Sequence, residues 1–274
     1  MPQPDNKLRI PETLRNVKSI IGIFSAKGGV GKSAISLQLA LALKEKGLKV
    51  GLVDADIYGP SQPVMLNSSP GELKLTKNEI IEPLTKKGIK FISMGLISGD
   101  KMPVIWRGPM VSGAVMQLLS QTEWGELDYL IVDTPPGTGD VQLTLLQRIP
   151  LTSAVVVTTP QKVSISDCKK GIEMINKLDV PISGLIENMS WFQPDSMEKK
   201  YYLFGKDGGK ELAKEYSLDL LAQLPLVELH EDSDLQNHEL LKIEFDNISA
   251  KVMDSVKNLK DKRSGGIPQI NITK

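Results

Sequence analysis

Residues 26–33 read Ala26-Lys27-Gly28-Gly29-Val30-Gly31-Lys32-Ser33 and lie between the apolar run SIIGIFS, residues 19–25, and a segment of helical period from Ser33 to Lys46. A strand that turns on glycines directly into a helix is a strong constraint on architecture. The glycines let backbone N–H groups point inward around an anion, and the helix brings its positive end to the same place. The rest of the chain agrees with a sheet built around that turn. The runs LKVGLVD, IKFISMG, DYLIVDT, SAVVVTT, ISGLIEN and DLLAQLP alternate with longer helical segments, as strands joined by crossover helices do. These runs are apolar on both faces, which fits a sheet covered by helices on both sides. The expected fold is α/β: doubly wound, with a mostly parallel sheet flanked by helices.

In such a sheet ligands bind beyond the carboxyl ends of the strands, and here those ends are polar. One run leads into the glycine loop, another ends in Asp54-Ala55-Asp56, another in Asp133-Thr134-Pro135-Pro136-Gly137, and another in Glu187-Asn188-Met189-Ser190. The loop is close to the phosphate-binding pattern G-x-x-x-x-G-K-[ST], with Ala26 in place of the first glycine and an added lysine, Lys27. In that pattern Lys32 neutralises the outer phosphates, the Ser33 hydroxyl ligates Mg²⁺, and Asp133, after an apolar strand, holds the metal shell. Gly137 is placed to offer its N–H to the last phosphate, in a turn that moves when that phosphate leaves. Either Asp54 or Asp56 is placed to orient an attacking water.

Composition narrows the partners. Thirty-three basic residues balance thirty-three acidic ones, so no global field draws nucleic acid or an anionic membrane. The single cysteine excludes an internal disulfide. No run approaches the ~18 apolar residues of a membrane span, and the first residues lack the apolar core of a signal peptide. The expectation is a soluble, cytoplasmic protein. The expected organisation is an N-terminal extension (1–18), a phosphate-loop ATPase domain (19–262) and a flexible tail (263–274).

The blocks AKGGVGKS, DADIYGPSQP, VIWRGPM, DYLIVDTPPGTGD and ENMSWF, in that order, resemble the Mrp/ApbC group of iron-sulfur cluster carriers. That group lies among the deviant-loop ATPases with nitrogenase iron protein, MinD and ParA. The resemblance implies a P-loop NTPase fold, ATP and Mg²⁺ as ligands, and an ATP-switched homodimer serving iron-sulfur assembly or recipient apoproteins. It implies that Gly28, Gly29, Val30, Gly31, Lys32, Ser33 and Ala34 cradle the nucleotide and that Asn188 reads the adenine edge. It further implies that Ser33, Asp54 and Asp133 serve the metal, that Asp56 orients water, and that Lys27 reaches the partner's nucleotide. Trp106 and Arg107 fall in a block whose chemistry spacing does not reveal, and they are assigned to the dimer or a partner surface.

One block departs from the group. Carriers have Cys-x-x-Cys after ENMS, whereas here the segment is WFQPDSMEKKYYLFG, without cysteine. Cluster iron is normally held by about four thiolates. Cys168 lies elsewhere and falls with Ile172 and Ile175 on one apolar helical face, the pattern of a buried thiol. The alternative reading is therefore a cluster-free, nucleotide-switched regulator of the MinD or ParA kind. Against it, the end of the chain, IPQINITK, is not a basic amphipathic membrane helix, and neutral charge does not favour a DNA-binding face.

Overall fold

The computed structural model describes residues 11–76, 80–98, 108–194, 199–227 and 238–264. The elements along the chain are β1 (Ile20–Phe24), α1 (Lys32–Glu45), β2 (Val50–Asp54), α2 (Gln62–Met65), β3 (Lys74–Leu75), β4 (Ile81–Glu82), β5 (Leu84–Lys86) and β6 (Ile89–Ser93). They continue with α3 (Met94–Ser98), α4 (Gly108–Gln121), β7 (Tyr129–Asp133), α5 (Asp140–Arg148), β8 (Ser153–Thr158), α6 (Lys162–Lys177), β9 (Ile182–Glu187), α7 (Gly208–Glu215), β10 (Leu220–Gln223) and α8 (Glu239–Ser264).

Among the described residues the main sheet has eight strands in the order β10-β9-β8-β1-β7-β2-β6-β5. Every pairing in it is parallel except that of β5 with β6. Parallel strands need crossover connections, and the helices that make them cover both faces. On one face Val132, Val156 and Leu185 pack with Leu118, Trp124, Leu145 and Ile172 of the α4–α6 side. On the other, Ile23, Leu52 and Phe91 pack with Leu39 and Leu43 of α1 and with Ile248 and Val252 of α8. α1 lies between sheet and α8, so it is buried almost all round from Ile35 to Leu43.

The seven apolar runs form β1, β2 and β6–β10. The expected helix at Ser33–Lys46 is α1, one residue earlier at each end. β5 is not among the runs, and residues 65–88 also hold the small antiparallel pair β3–β4. Before β1, Leu14 is buried in the core and the Thr13 hydroxyl donates to the Leu119 and Ser120 carbonyls of α4. α8 runs on to Ser264, and residues 265–274 lie outside the described residues. No helix among the described residues is long and apolar enough to cross a membrane.

Candidate functional site

The topology brings the polar strand ends to one edge. β1 lies between β7 and β8, β7 between β1 and β2, and β9 beside β8, so the ends carrying the glycine loop, Asp54, Asp133 and Asn188 share that edge. A cleft of about 340 Å³ opens there, lined by Ser25, Gly28, Gly29, Gly31, Lys32, Ser33, Ala34, Asp56 and Pro136 among others. Gly31 enters α1 with φ +86°, a conformation that L side chains avoid. A Cβ there would lie 2.3 Å from Asn188 Nδ2, so glycine is required twice over.

Lys32 and Asp133 form an ion pair beneath the cleft, with 5% and 0% of their side chains exposed. Asp133 also accepts from Ser36 Oγ at 3.1 Å and from Gln62 Nε2 at 3.0 Å. Gln62 Nε2 donates as well to the Ser33 carbonyl at 2.8 Å, which fixes the amide's orientation and leaves buried Oε1 without a partner among the described residues. Asp54 is fully buried next to Asp133 in register. It accepts from Ser93 Oγ at 2.9 Å and from the Asp56 and Gln62 amides. Burial, and then the Asp133 carboxylate, push the Asp54 carboxyl up to about 7. Asp56 is raised as well, by burial first, opposed by Lys32 and by the Gly59 amide.

Two adjacent buried carboxylates, one of them paired with Lys32, together with a nearby hydroxyl and a buried amide oxygen, are the hard oxygen donors that Mg²⁺ prefers. The residues fit that ion. They do not form a cluster of three or more His, Cys, Asp or Glu among the described residues, so the substrate's phosphates and water would complete the shell.

The other expected residues fall as follows. Lys27 is exposed on the loop, without a hydrogen bond or ion pair among the described residues. The Gly137 amide donates to the Ser25 carbonyl at 2.9 Å, so the turn after β7 is latched to the base of the glycine loop. Asn188 Nδ2 donates to the Val30 carbonyl at 2.9 Å, tying the end of β9 to the same loop. Cys168 is buried on α6 with Ile172 and Ile175, and burial pushes its thiol up to about 12. Trp106 and Arg107 lie outside the described residues. Sequence reasoning missed Gln62 and Ser36. Ser36 carries a weak signal, one helical turn after Lys32 and so on its face; Gln62 carries none beyond its place in DADIYGPSQP.

A family model described as "ParA: NUBPL iron-transfer P-loop NTPase" matches residues 16–260. The chain belongs to this family. Members resembling the protein include an iron-sulfur cluster carrier protein of Pseudomonas fragi, 47% identical over 81% of this chain and 78% of its own. Another, from Methanocaldococcus jannaschii, is 45% identical over 94% and 91%. The mouse iron-sulfur cluster transfer protein NUBPL is 46% identical over 81% and 70%. Among solved structures, a nucleotide-binding protein of Archaeoglobus fulgidus in complex with ADP matches at TM-score 0.70 and 31% identity, covering 88% of this chain and 90% of that one. The Pyrococcus furiosus cell division ATPase MinD, at 19% identity and TM-score 0.54 over 89% and 100%, shares the fold. The protein is thus an iron-sulfur cluster carrier-type P-loop NTPase, and nucleotide hydrolysis is the activity of its class.

Proposed function

We propose that this family member is a cytoplasmic Mg²⁺-dependent ATPase with slow intrinsic hydrolysis, acting as an ATP-switched homodimer that assists iron-sulfur assembly or recipient apoproteins through a partner's cluster ligands rather than through thiolates of its own. The observation that carries the reading is the buried Lys32–Asp133 pair under the glycine loop. A cation held in the floor of this cleft is available to an arriving anion, and its exchange from Asp133 to phosphate frees a carboxylate for the metal shell.

In this reading the amides from Gly28 to Ala34 cradle the phosphates, and Lys32 neutralises them. Ser33, Asp133 and Asp54 would hold Mg²⁺, which screens charge on the transferred phosphoryl group. Asp56, at the wall of the cleft, orients the attacking water. Lys27 reaches the nucleotide of the second copy, in the manner of an arginine finger, which its exposed position allows. Asn188 shifts from Val30 to the adenine edge. The Gly137 latch on Ser25 opens when the last phosphate offers a better acceptor.

The test is calorimetric titration of Mg·ATP into wild type and Lys32→Ala. Tight binding in the first and none in the second is expected; equal affinity removes the phosphate-loop assignment. A second reading, a cluster-free regulator, is favoured by one observation. Cys168, the chain's single cysteine, is buried, and no thiol lies in the segment after Ser190.

A further inference from the structure

Glu187, at the end of β9, is a fully buried carboxylate that the proposed nucleotide site does not use. Its Oε1 accepts from Ser190 Oγ at 2.7 Å and from Gln223 Nε2 at 2.8 Å, and its Oε2 accepts from the Gly209 amide. All these donors are neutral, and no lysine or arginine among the described residues pairs with it. The first turn of α7, where Gly209 lies, brings the positive end of the helix to the carboxylate. Burying a charge without a cation is costly unless the hydrogen bonds are complete. These bonds therefore hold one geometry.

The carboxylate is at a junction. On one side the next residue, Asn188, is fixed by its amide to the Thr158 carbonyl and by its side chain to Val30 of the glycine loop. On the other side Gln223 also donates to Asp207, the residue before α7, at 3.1 Å. The packing there has no slack. A Cβ on Gly209 would lie 2.8 Å from the Glu187 Cβ, and one on Gly208 would lie 2.9 Å from the Pro160 carbonyl oxygen. A continuous path of bonds and hard contacts thus runs from Val30 through Asn188 and Glu187 to the segment 199–209, whose Tyr202 and Leu203 are exposed.

We propose that Glu187 is a positioning residue that transmits nucleotide occupancy at the glycine loop to segment 199–209. The inference rests on the reading that this loop binds ATP. When Asn188 leaves Val30 for the nucleotide, the end of β9 shifts, and Glu187 carries the shift into the start of α7. Segment 199–209 thereby presents its exposed side chains to a partner differently in the two nucleotide states.

The experiment is hydrogen exchange of the full chain, followed by mass spectrometry over residues 199–212, with and without Mg·ATP. In wild type, ATP is expected to change exchange in this segment by about tenfold. Glu187→Gln keeps an oxygen for Ser190 and Gln223 but turns an NH₂ toward the Gly209 amide. It should bind ATP within about threefold of wild type and lose the ATP-dependent change. A change of wild-type size in Glu187→Gln overturns the proposal. So does a silent segment in wild type whose ATP binding is confirmed by calorimetry. Absence of ATP binding in wild type removes the ATPase reading itself. Should circular dichroism show Glu187→Gln unfolded, Gln223→Leu and Ser190→Ala each remove one donor. Each is then expected to diminish the change, and an undiminished response in both overturns the proposal.

Discussion

Lys32, the first residue of α1, and Asp133, the last of β7, are bonded to each other across the floor of the cleft. The pair joins a helix on one face of the sheet to a central strand, so it serves folding before it serves ATP. Removing one partner of a buried pair strands the other charge and costs about 3–5 kcal/mol. Lys32→Ala should therefore lower unfolding stability by about that amount in denaturant titrations, besides abolishing tight ATP binding. Stability within ~0.5 kcal/mol of wild type, the scatter of surface substitutions, would show the pair is not formed in solution.

Lys27 and Asp56 are expected to separate two steps. Lys27→Ala should bind ATP normally but lose turnover and ATP-promoted association, since its cation is exposed and engages nothing among the described residues. Asp56→Ala should retain ATP and accumulate as a dimer, because water is no longer oriented. Light scattering with a slowly hydrolysed ATP analogue distinguishes them. A chain that stays monomeric with analogue bound, in wild type and Asp56→Ala alike, contradicts the role given to Lys27.

Much of this site was legible because its parts are local. Glycine loop, Asp54-Ala55-Asp56 and Asp133 each follow an apolar run whose both-face burial betrays a central parallel strand. β5 was not legible: Leu84–Lys86 is three residues long, half-exposed, and antiparallel at the sheet's edge, so neither length nor period marks it. Gln62 and Glu187 were hidden for another reason. Their hydrogen-bond partners, Asp133 for one and Gly209 and Gln223 for the other, are brought within reach only by tertiary structure.

The protein alone should form no stable cluster on anaerobic reconstitution with iron and sulfide. The segment after Ser190 offers no thiolate, and Cys168 is buried. The measurement is iron and acid-labile sulfide after gel filtration, with the visible spectrum, in wild type and Cys168→Ser. About four irons per dimer in both, the content of one four-iron cluster, would show that other ligands suffice. A cluster lost only in Cys168→Ser would mean that the thiol comes to the surface.

Cys168 also fixes a pH dependence. Burial raises its thiol from 9.0 to about 12, so the folded chain keeps a proton that the unfolded chain releases. This stabilising contribution is complete below about 9 and is lost as pH rises toward 12. Cys168→Ala should flatten that part of the stability curve. Alkylation at pH 8 should be at least ~100-fold slower in the native protein than in urea, because only the accessible thiolate reacts. Equal rates would contradict the burial.

Asp54 and Asp133 stand directly opposite one another on β2 and β7. A strand's side chains alternate between faces, so a slip of one residue would set Val53 or Ala55 against Asp133 and turn every side chain of β2 over. The apolar character of both faces makes such a slip less costly in this sheet than in a half-solvated one, and burial alone discriminates weakly between alignments. In the proposed function the carboxylate pair would supply the missing discrimination, because only one alignment would bring both Asp54 and Asp133 to the metal and phosphate. A ligand stabilises the state that binds it in proportion to the logarithm of its concentration over its dissociation constant. Misthreaded molecules would be invisible to ATP, and nucleotide would select correctly aligned chains from those leaving the ribosome.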